Sequence, residues 1–243
     1  MLTRENLKRR WPWLLLIVPA ALVIAVSAGT YVYIHFIAPD PAPRLTFSSV
    51  PTTTASSAAT SSTTSGTATA TVDGNWSIGD GSEAGYRVSE VLNGQNSEAT
   101  GRTTAVTGQL VIAGTQVTTA TFSVDMAKVS SGESQRDGQF RNRIMETSKY
   151  PTATFELSSP IELGSVPADL AEITVKTSGK LTLHGTTREI TIDLAARRNG
   201  ANLEINGTVP ITFSDYGISN PSGGPASVGD DGEMEFLLIL NRA

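Results

Sequence analysis

Apolar and polar residues alternate through most of the chain after residue 73, and the alternation is cleanest in Gly179–Leu194. Leu181, Leu183, Ile190, Ile192 and Leu194 share one parity on either side of a His184-Gly185-Thr186 turn. A period of two gives a strand with one dry face and one wet face. Gly185 at the centre suits a turn position with positive φ. The segment predicts a β-hairpin.

The same pattern recurs along the chain, punctuated by Gly, Asn and Pro. Trp76 and Ile78 mark a first strand; Tyr86, Val88 and Leu92 a second; Val106, Leu110 and Ile112 a third, before an Ala113-Gly114-Thr115 turn. Ala120, Phe122, Val124 and Met126 line the next, followed by Ala153, Phe155 and Leu157, then Ile173 and Val175 leading into the hairpin. Leu203, Ile205, Val209, Ile211 and Phe213 follow, and Glu233–Leu240 is apolar enough to need cover on both sides. Asn93–Thr104 reads as a long polar insertion. Ser134–Thr147 alone breaks the period: Asp137 can cap a short helix in which Phe140, Ile144 and Met145 fall at helical spacing. Many short strands with one short helix predict an all-β antiparallel fold, barrel or sandwich. A closed barrel of about eight strands is preferred, because closure removes exposed edges, and its interior can be filled by side chains or hold one small ligand.

The N-terminal pattern is different. From Trp11 to Ala38 there is no Lys, Arg, Asp or Glu. Leu14–Ile37, at about 1.5 Å per residue, reaches about 36 Å, enough to cross a hydrocarbon core of about 30 Å. Lys8, Arg9 and Arg10 keep the preceding end cytoplasmic, and Trp11, Trp13, Tyr31, Tyr33 and His35 fall where an interfacial belt would. The expected division is a cytoplasmic N-terminus (1–10), a single transmembrane helix (11–38), a linker (39–72) and a domain (73–243). A cleaved signal peptide with Val26-Ser27-Ala28 at its end is the competing reading, but the apolar run continues for about ten residues beyond, and signal h-regions are only about 7–15 residues long. Ala21, Ala25 and Gly29 form a small-residue row that lets two helices approach, a candidate homodimer contact. Between Thr46 and Thr71, 17 of 26 residues are Ser or Thr. Such a stretch has little to bury and predicts a disordered stalk spanning about 30 Å.

Charge and cysteine usage remove several function classes. The region from residue 73 onward has 13 basic and 21 acidic residues, a formal −8. Nucleic-acid affinity comes largely from Lys and Arg neutralising phosphates, so no nucleic-acid partner is expected. There is no cysteine, which excludes thiol catalysis, disulfides and thiolate metal sites. Of two histidines only His184 lies in the domain. It falls on the polar parity at a turn, with no local motif supplying a nucleophile or an orienting acid. A structural turn or capping role is the reading; no enzyme activity, metal or cofactor is expected. Gly229-Asp230-Asp231-Gly232-Glu233 lacks the spacing of a calcium loop and reads as a hairpin turn.

Four blocks stand in order along 73–243: Trp76-Ser77-Ile78; Arg136-Asp137 with Tyr150-Pro151-Thr152-Ala153-Thr154-Phe155; Gly179-Lys180-Leu181-Thr182-Leu183-His184-Gly185-Thr186-Thr187; and Ser214-Asp215-Tyr216-Gly217-Ile218. Together they resemble the signature of the YceI-like family, small exported β-barrels associated with lipid and polyisoprenoid binding. The resemblance implies an up-and-down, lipocalin-like barrel. It departs at Tyr86–Glu90, where the family usually has a His near the strand end, and in the added anchor and linker.

With that resemblance, Tyr86, Val88, Phe122, Val124, Phe155, Leu183, Ile192 and Phe213 become candidates for lining a tunnel; ordinary core filling is the competing reading for each. Arg136, Arg141 and Arg143, with Lys149, surround the short helix and are candidates to receive an anionic head group, against a solvated helix face paired with Asp137 and Glu146. The leading expectation is a single-pass cell-membrane protein whose extracytoplasmic barrel holds a lipid or polyisoprenoid chain. The alternative is a filled, non-binding barrel serving envelope stress or protein interaction.

Overall fold

The computed structural model describes residues 19, 22–32, 40–47, 71–223 and 226–243. The alternation becomes twelve strands: β1 Gly74–Ile78, β2 Glu83–Leu92, β3 Gln95–Thr103, β4 Val106–Ala113, β5 Gln116–Asp125, β6 Thr152–Leu157, β7 Ile161–Glu162, β8 Ile173–Leu183, β9 Thr186–Asn199, β10 Asn202–Thr212, β11 Ala226–Val228 and β12 Asp231–Arg242. Eight of them, in the order β1-β4-β5-β6-β8-β9-β10-β12, pair antiparallel, and β12 returns to β1 to close the ring. Closure leaves no free edge around the lower half of the barrel.

The seam is made by one bent strand. β12 pairs with β10 along its length, but on its other side it pairs with β1 through Leu240–Arg242 and with β2 through Glu233–Leu237. β1 and β2 are therefore one strand bent at Gly79–Ser82. The buried Ser82 hydroxyl mends the ladder at the bend: it accepts the Ile239 N–H at 2.9 Å and lies 2.9 Å from the Gly79 carbonyl. The partner strand bends as well, between β3 and β4 at Thr104-Ala105. Above the bend β3 keeps only β2 as a ladder neighbour, so the β2–β3 hairpin splays from the ring and widens one end of the barrel.

Several sequence expectations change here. Asn93–Thr104 is no insertion: Asn93-Gly94 is the turn and Gln95–Thr103 is β3. Its inward positions are small, Ala99, Gly101 and Thr103, and the Tyr86 ring lies over Gly101, where a Cβ would meet it at 2.4 Å. The short helix is a six-residue α-turn, Ser134–Gln139, running into a wider π-type turn, Phe140–Ile144, closed by Met145 N–H to Phe140 O at 2.8 Å. Asp137 does not cap it. Its carboxylate accepts the Ser131 N–H and the Ser130 and Ser131 hydroxyls, all at 2.7 Å, and so folds the preceding loop. Met126 and Phe213 each begin a single 3₁₀ turn after a strand.

Residues 22–32 are helical. Among the described residues no helix is long and apolar enough to cross a membrane. The rest of the expected transmembrane run lies outside the described residues, including Trp11, Trp13, Ala21, Tyr33 and His35. So do residues 1–10 and 48–70.

Residues 40–47, within the stretch read as linker, lie on the outer wall. Ala42 N–H donates to Thr100 Oγ1 at 2.9 Å, and Leu45 N–H donates to Glu235 Oε2 at 3.1 Å. Arg87 donates to the Ala42 carbonyl at 2.6 Å and Asn206 to that of Leu45 at 3.5 Å. Phe47 ends the segment under the Arg197 guanidinium, 4.5 Å from its ring centre. Beneath this strap sit charges the wall could not otherwise bury. Arg87 (6% exposed) and Glu235 (2% exposed) pair at 2.5 Å, with Arg102 3.0 Å from Glu235 and Glu98 also on Arg87. The strap thus covers part of β12's outer face, and Met234, Phe236, Leu238 and Leu240 fill the inner one.

Burial alone would raise the Glu235 carboxyl, but hydrogen bonds from Arg87 and Leu45 and the charges of Arg102 and Arg87 hold it below the usual range. Asp137 is likewise held low: burial opposes ionisation, and the Ser131 and Ser130 hydrogen bonds outweigh it. A carboxyl with a depressed folded-state pKa contributes stability above its ordinary value, and that contribution is lost as the pH falls. The melting temperature should therefore be level above about pH 5 and drop below about pH 4. Glu235→Gln should flatten the drop, and a melting temperature unchanged between those values would contradict the assignment.

Register gives a second prediction. Leu183 is buried inside the barrel while the Thr182 hydroxyl meets Thr187 outside at 2.8 Å. Leu183→Asp should cost several kcal/mol, because an unpaired carboxylate would be desolvated. Thr182→Asp should cost under about 1 kcal/mol. Denaturant midpoints of the two variants compare them directly.

Candidate functional site

The inward residues do not fill the barrel. A cavity of about 680 Å³ occupies the splayed end, and a second of about 140 Å³ lies deeper. Ala84, Val124 and Met234 line both and stand between them. The far end is shut by Trp76, whose indole donates to the Val72 carbonyl at 2.8 Å, and by the fully buried Leu240.

The eight residues expected to line a tunnel all face these spaces. Tyr86, Val88, Val124, Leu183 and Phe213 line the larger cavity; Phe122, Val124, Phe155 and Ile192 line the smaller. Period-two parity placed them, since it decides which side of a strand faces inward. The sequence reading missed the wall supplied between strands: Met126, Val129, Phe140 and Met145 also line the larger cavity. Met126 carried the strand parity and Phe140 and Met145 the helical spacing, but neither pattern shows that a loop turns toward the barrel interior. Thr177 is a polar exception in the smaller cavity; it is buried, and its hydroxyl has no hydrogen-bond partner among the described residues.

The basic residues separate. Arg136 lines the mouth, 3.3 Å from Glu90 Oε1. Arg141 and Arg143 do not line the cavity, and Arg143 donates to the Pro221 carbonyl at 2.8 Å. Among the described residues the rim places Glu90 and Glu133 beside Arg136, and Glu233, also at the rim, is paired on its outer side with Arg44 at 2.7 Å. Tyr86 stacks on Phe140 with ring centres 5.1 Å apart. Burial pushes its phenol up to about 12, so it stays a donor, and no hydrogen bond to its hydroxyl is found among the described residues.

His184 is a fastener at this same end. It and Gly185 have φ of 49° and 74°, the pair of positive values of a type I′ turn. A Cβ on Gly185 would meet the Tyr150 ring at 2.4 Å. The imidazole sits edge-on to Tyr150 with ring centres 4.5 Å apart. Its Nδ1 lies 3.2 Å from the Tyr216 carbonyl and its Nε2 3.2 Å from Glu146 Oε2. One side chain thus joins the β8–β9 turn to the loops after the short helix and after β10. The motif residues Tyr150, His184, Gly185 and Tyr216 meet here.

Residues 76–240 match the YceI-like domain. The chain belongs to the YceI-like family. A UPF0312 protein of Pseudomonas savastanoi pv. phaseolicola is 28% identical over 123 residues, 48% of this chain and 59% of that protein. The chain therefore spans about three-fifths of the length of such curated relatives. Among solved structures, a polyisoprenoid-binding domain from Saccharophagus degradans, implicated in plant cell wall breakdown, aligns with a TM-score of 0.56 at 19% identity. The alignment covers 69% of this chain and 98% of that one. BcnA of Burkholderia cenocepacia aligns at 0.50 with 22% identity, over 65% and 95%. At these identities the likeness is one of fold; of the motif residues, Tyr150, His184, Gly185 and Tyr216 lie at the end that holds the larger cavity, and Trp76 lies at the closed end.

His184→Ala should remove the fastening without emptying the barrel. A loss of about 1–2 kcal/mol is expected from the hydrogen bonds given up, read as a lower melting temperature. Gly185→Ala should cost more, since it adds a clash with Tyr150 to an unfavourable φ.

Proposed function

We propose that this YceI-like barrel holds one long apolar chain of prenyl type, carrying an uncharged polar head at its mouth. The observation that carries the reading is the cavity pair, apolar in depth apart from Thr177 and Thr154 and more polar at the rim. Its larger part is within the range of about 300–1,000 Å³ typical of small-molecule sites. The polyisoprenoid-binding character of the Saccharophagus degradans domain supports the choice of ligand class. The rim supports the choice of head: Arg136 already faces Glu90 at 3.3 Å and Glu133 adds a further carboxylate, which disfavours a pyrophosphate, while the Tyr86 hydroxyl and Glu90 suit an alcohol. Binding, not catalysis, is the activity, and the uncharged N-terminal run anchors the domain outside the cytoplasmic membrane as a single-pass protein.

Mass spectrometry of an organic extract of the purified full-length protein should find such a lipid. Titration should show prenyl alcohol binding at least tenfold more tightly than prenyl pyrophosphate. Phe122→Trp, which fills the smaller cavity, should weaken long chains and leave short ones unchanged. Each methylene excluded forfeits about 0.8 kcal/mol. If the barrel carries no lipid and binds neither ligand, the proposal fails.

A further inference from the structure

The helical segment 22–32 does not stand clear of the barrel. Val26, Gly29 and Thr30 line the mouth of the larger cavity. Thr30 is buried there, with Asn93 Nδ2 donating to its hydroxyl at 2.8 Å. Gln95 Nε2 donates to the Ser27 carbonyl, also at 2.8 Å. Both partners belong to the tip of the splayed β2–β3 hairpin. The helix meanwhile leaves Leu22, Val23 and Ile24 exposed, at 66%, 63% and 68%. Three adjacent apolar side chains that open to solvent need an apolar surrounding.

The strap completes the geometry. Seven residues, 33–39, separate the helix from Asp40, a reach of at most about 25 Å. From there the chain is bonded down the wall to Phe47, and it is bonded again at Thr71, whose carbonyl accepts from Arg242 at 2.7 Å. The Ser/Thr-rich stretch between them is attached to the barrel at both ends. It cannot act as a spacer between anchor and barrel.

We propose that the cavity mouth is docked on the lipid surface that holds the N-terminal helix, so that the ligand passes between bilayer and cavity without crossing water. This rests on the anchor and lipid-binding readings above. The helix delivers the mouth to the bilayer, and the strap prevents the barrel from swinging away.

The test uses the full-length chain in phosphatidylcholine–phosphatidylglycerol vesicles. The sequence has no cysteine, so one dye can be placed by Asn96→Cys at the mouth or by Ala201→Cys at the opposite pole. Energy transfer to an acceptor lipid should be strong from the first and weak from the second; equal transfer overturns the docking, as does a chain that does not stay with the vesicles. The second arm compares wild type with a chain carrying Gln95→Ala and about 20 Gly/Ser residues inserted between 32 and 40, enough to add roughly 25 Å of reach. Uptake of a fluorescent polyprenol from the same vesicles should slow at least tenfold, with affinity in detergent unchanged. Equal uptake rates overturn the proposal. If neither chain binds polyprenol in detergent, the lipid-binding reading fails, and the energy-transfer arm alone decides the docking.

Discussion

The structure depends on how the ring of strands is joined. A sheet with an apolar inner face must leave no edge open, and here the joint falls on β12. That strand faces one partner on one side and two on the other, so the first strand must bend where it passes from one role to the next. Ser82 makes the bend tolerable by taking a ladder hydrogen bond onto its side chain. The upper halves of the first two strands, β2 and β3, then turn away as a hairpin held to the ring by the pairing of β2 with β12. Their divergence leaves space that a straight eight-stranded barrel would fill with side chains, and the loops around Phe140, Met145 and Tyr216 roof that space instead of filling it.

The family motifs gain a physical meaning from this arrangement. Tyr150, His184, Gly185 and Tyr216 come from three separate loops and touch one another, yet none of them reaches far into the cavity. Their work is to keep three loops in register around the open end. Asp137 does the same for the loop before the short helix, gathering two serines. A histidine with a carboxylate beside it resembles a catalytic pair, but the neighbours of His184 are the Tyr216 carbonyl, the Tyr150 ring and Glu146 on the roof. Among the described residues, the polar groups that line the larger cavity include Tyr86 and Arg136.

Parity made the strands and their inner residues legible, and the hairpin of Leu181, Leu183, Ile190 and Ile192 stands as read. Parity also set the limits. β3 escaped because Ala99 and Gly101 are inward yet too small to register as apolar, the second lying beneath a ring on the neighbouring strand. Arg141 and Arg143 were grouped with Arg136 because all three surround the short helix; they fall in the widened turn after Gln139, and neither lines the cavity. The strap was invisible for another reason. Its Pro-Ala-Pro-Arg composition looks unstructured, and its partners Glu235 and Asn206 lie far away in sequence, so nothing local announces the contact. The charges it covers would read as surface residues on any pattern.

The sealed far end has its own consequence. With Trp76 and Leu240 packed across it, the barrel is a blind tube rather than a pipe. Whatever enters must leave by the same door, reversing its path, and a second molecule cannot push the first out ahead of it. Such a container supports storage, shielding or hand-over to an acceptor that meets the same rim. It does not support flow. The acceptor and the source would compete for one opening, and turnover would follow how often that opening changes neighbours.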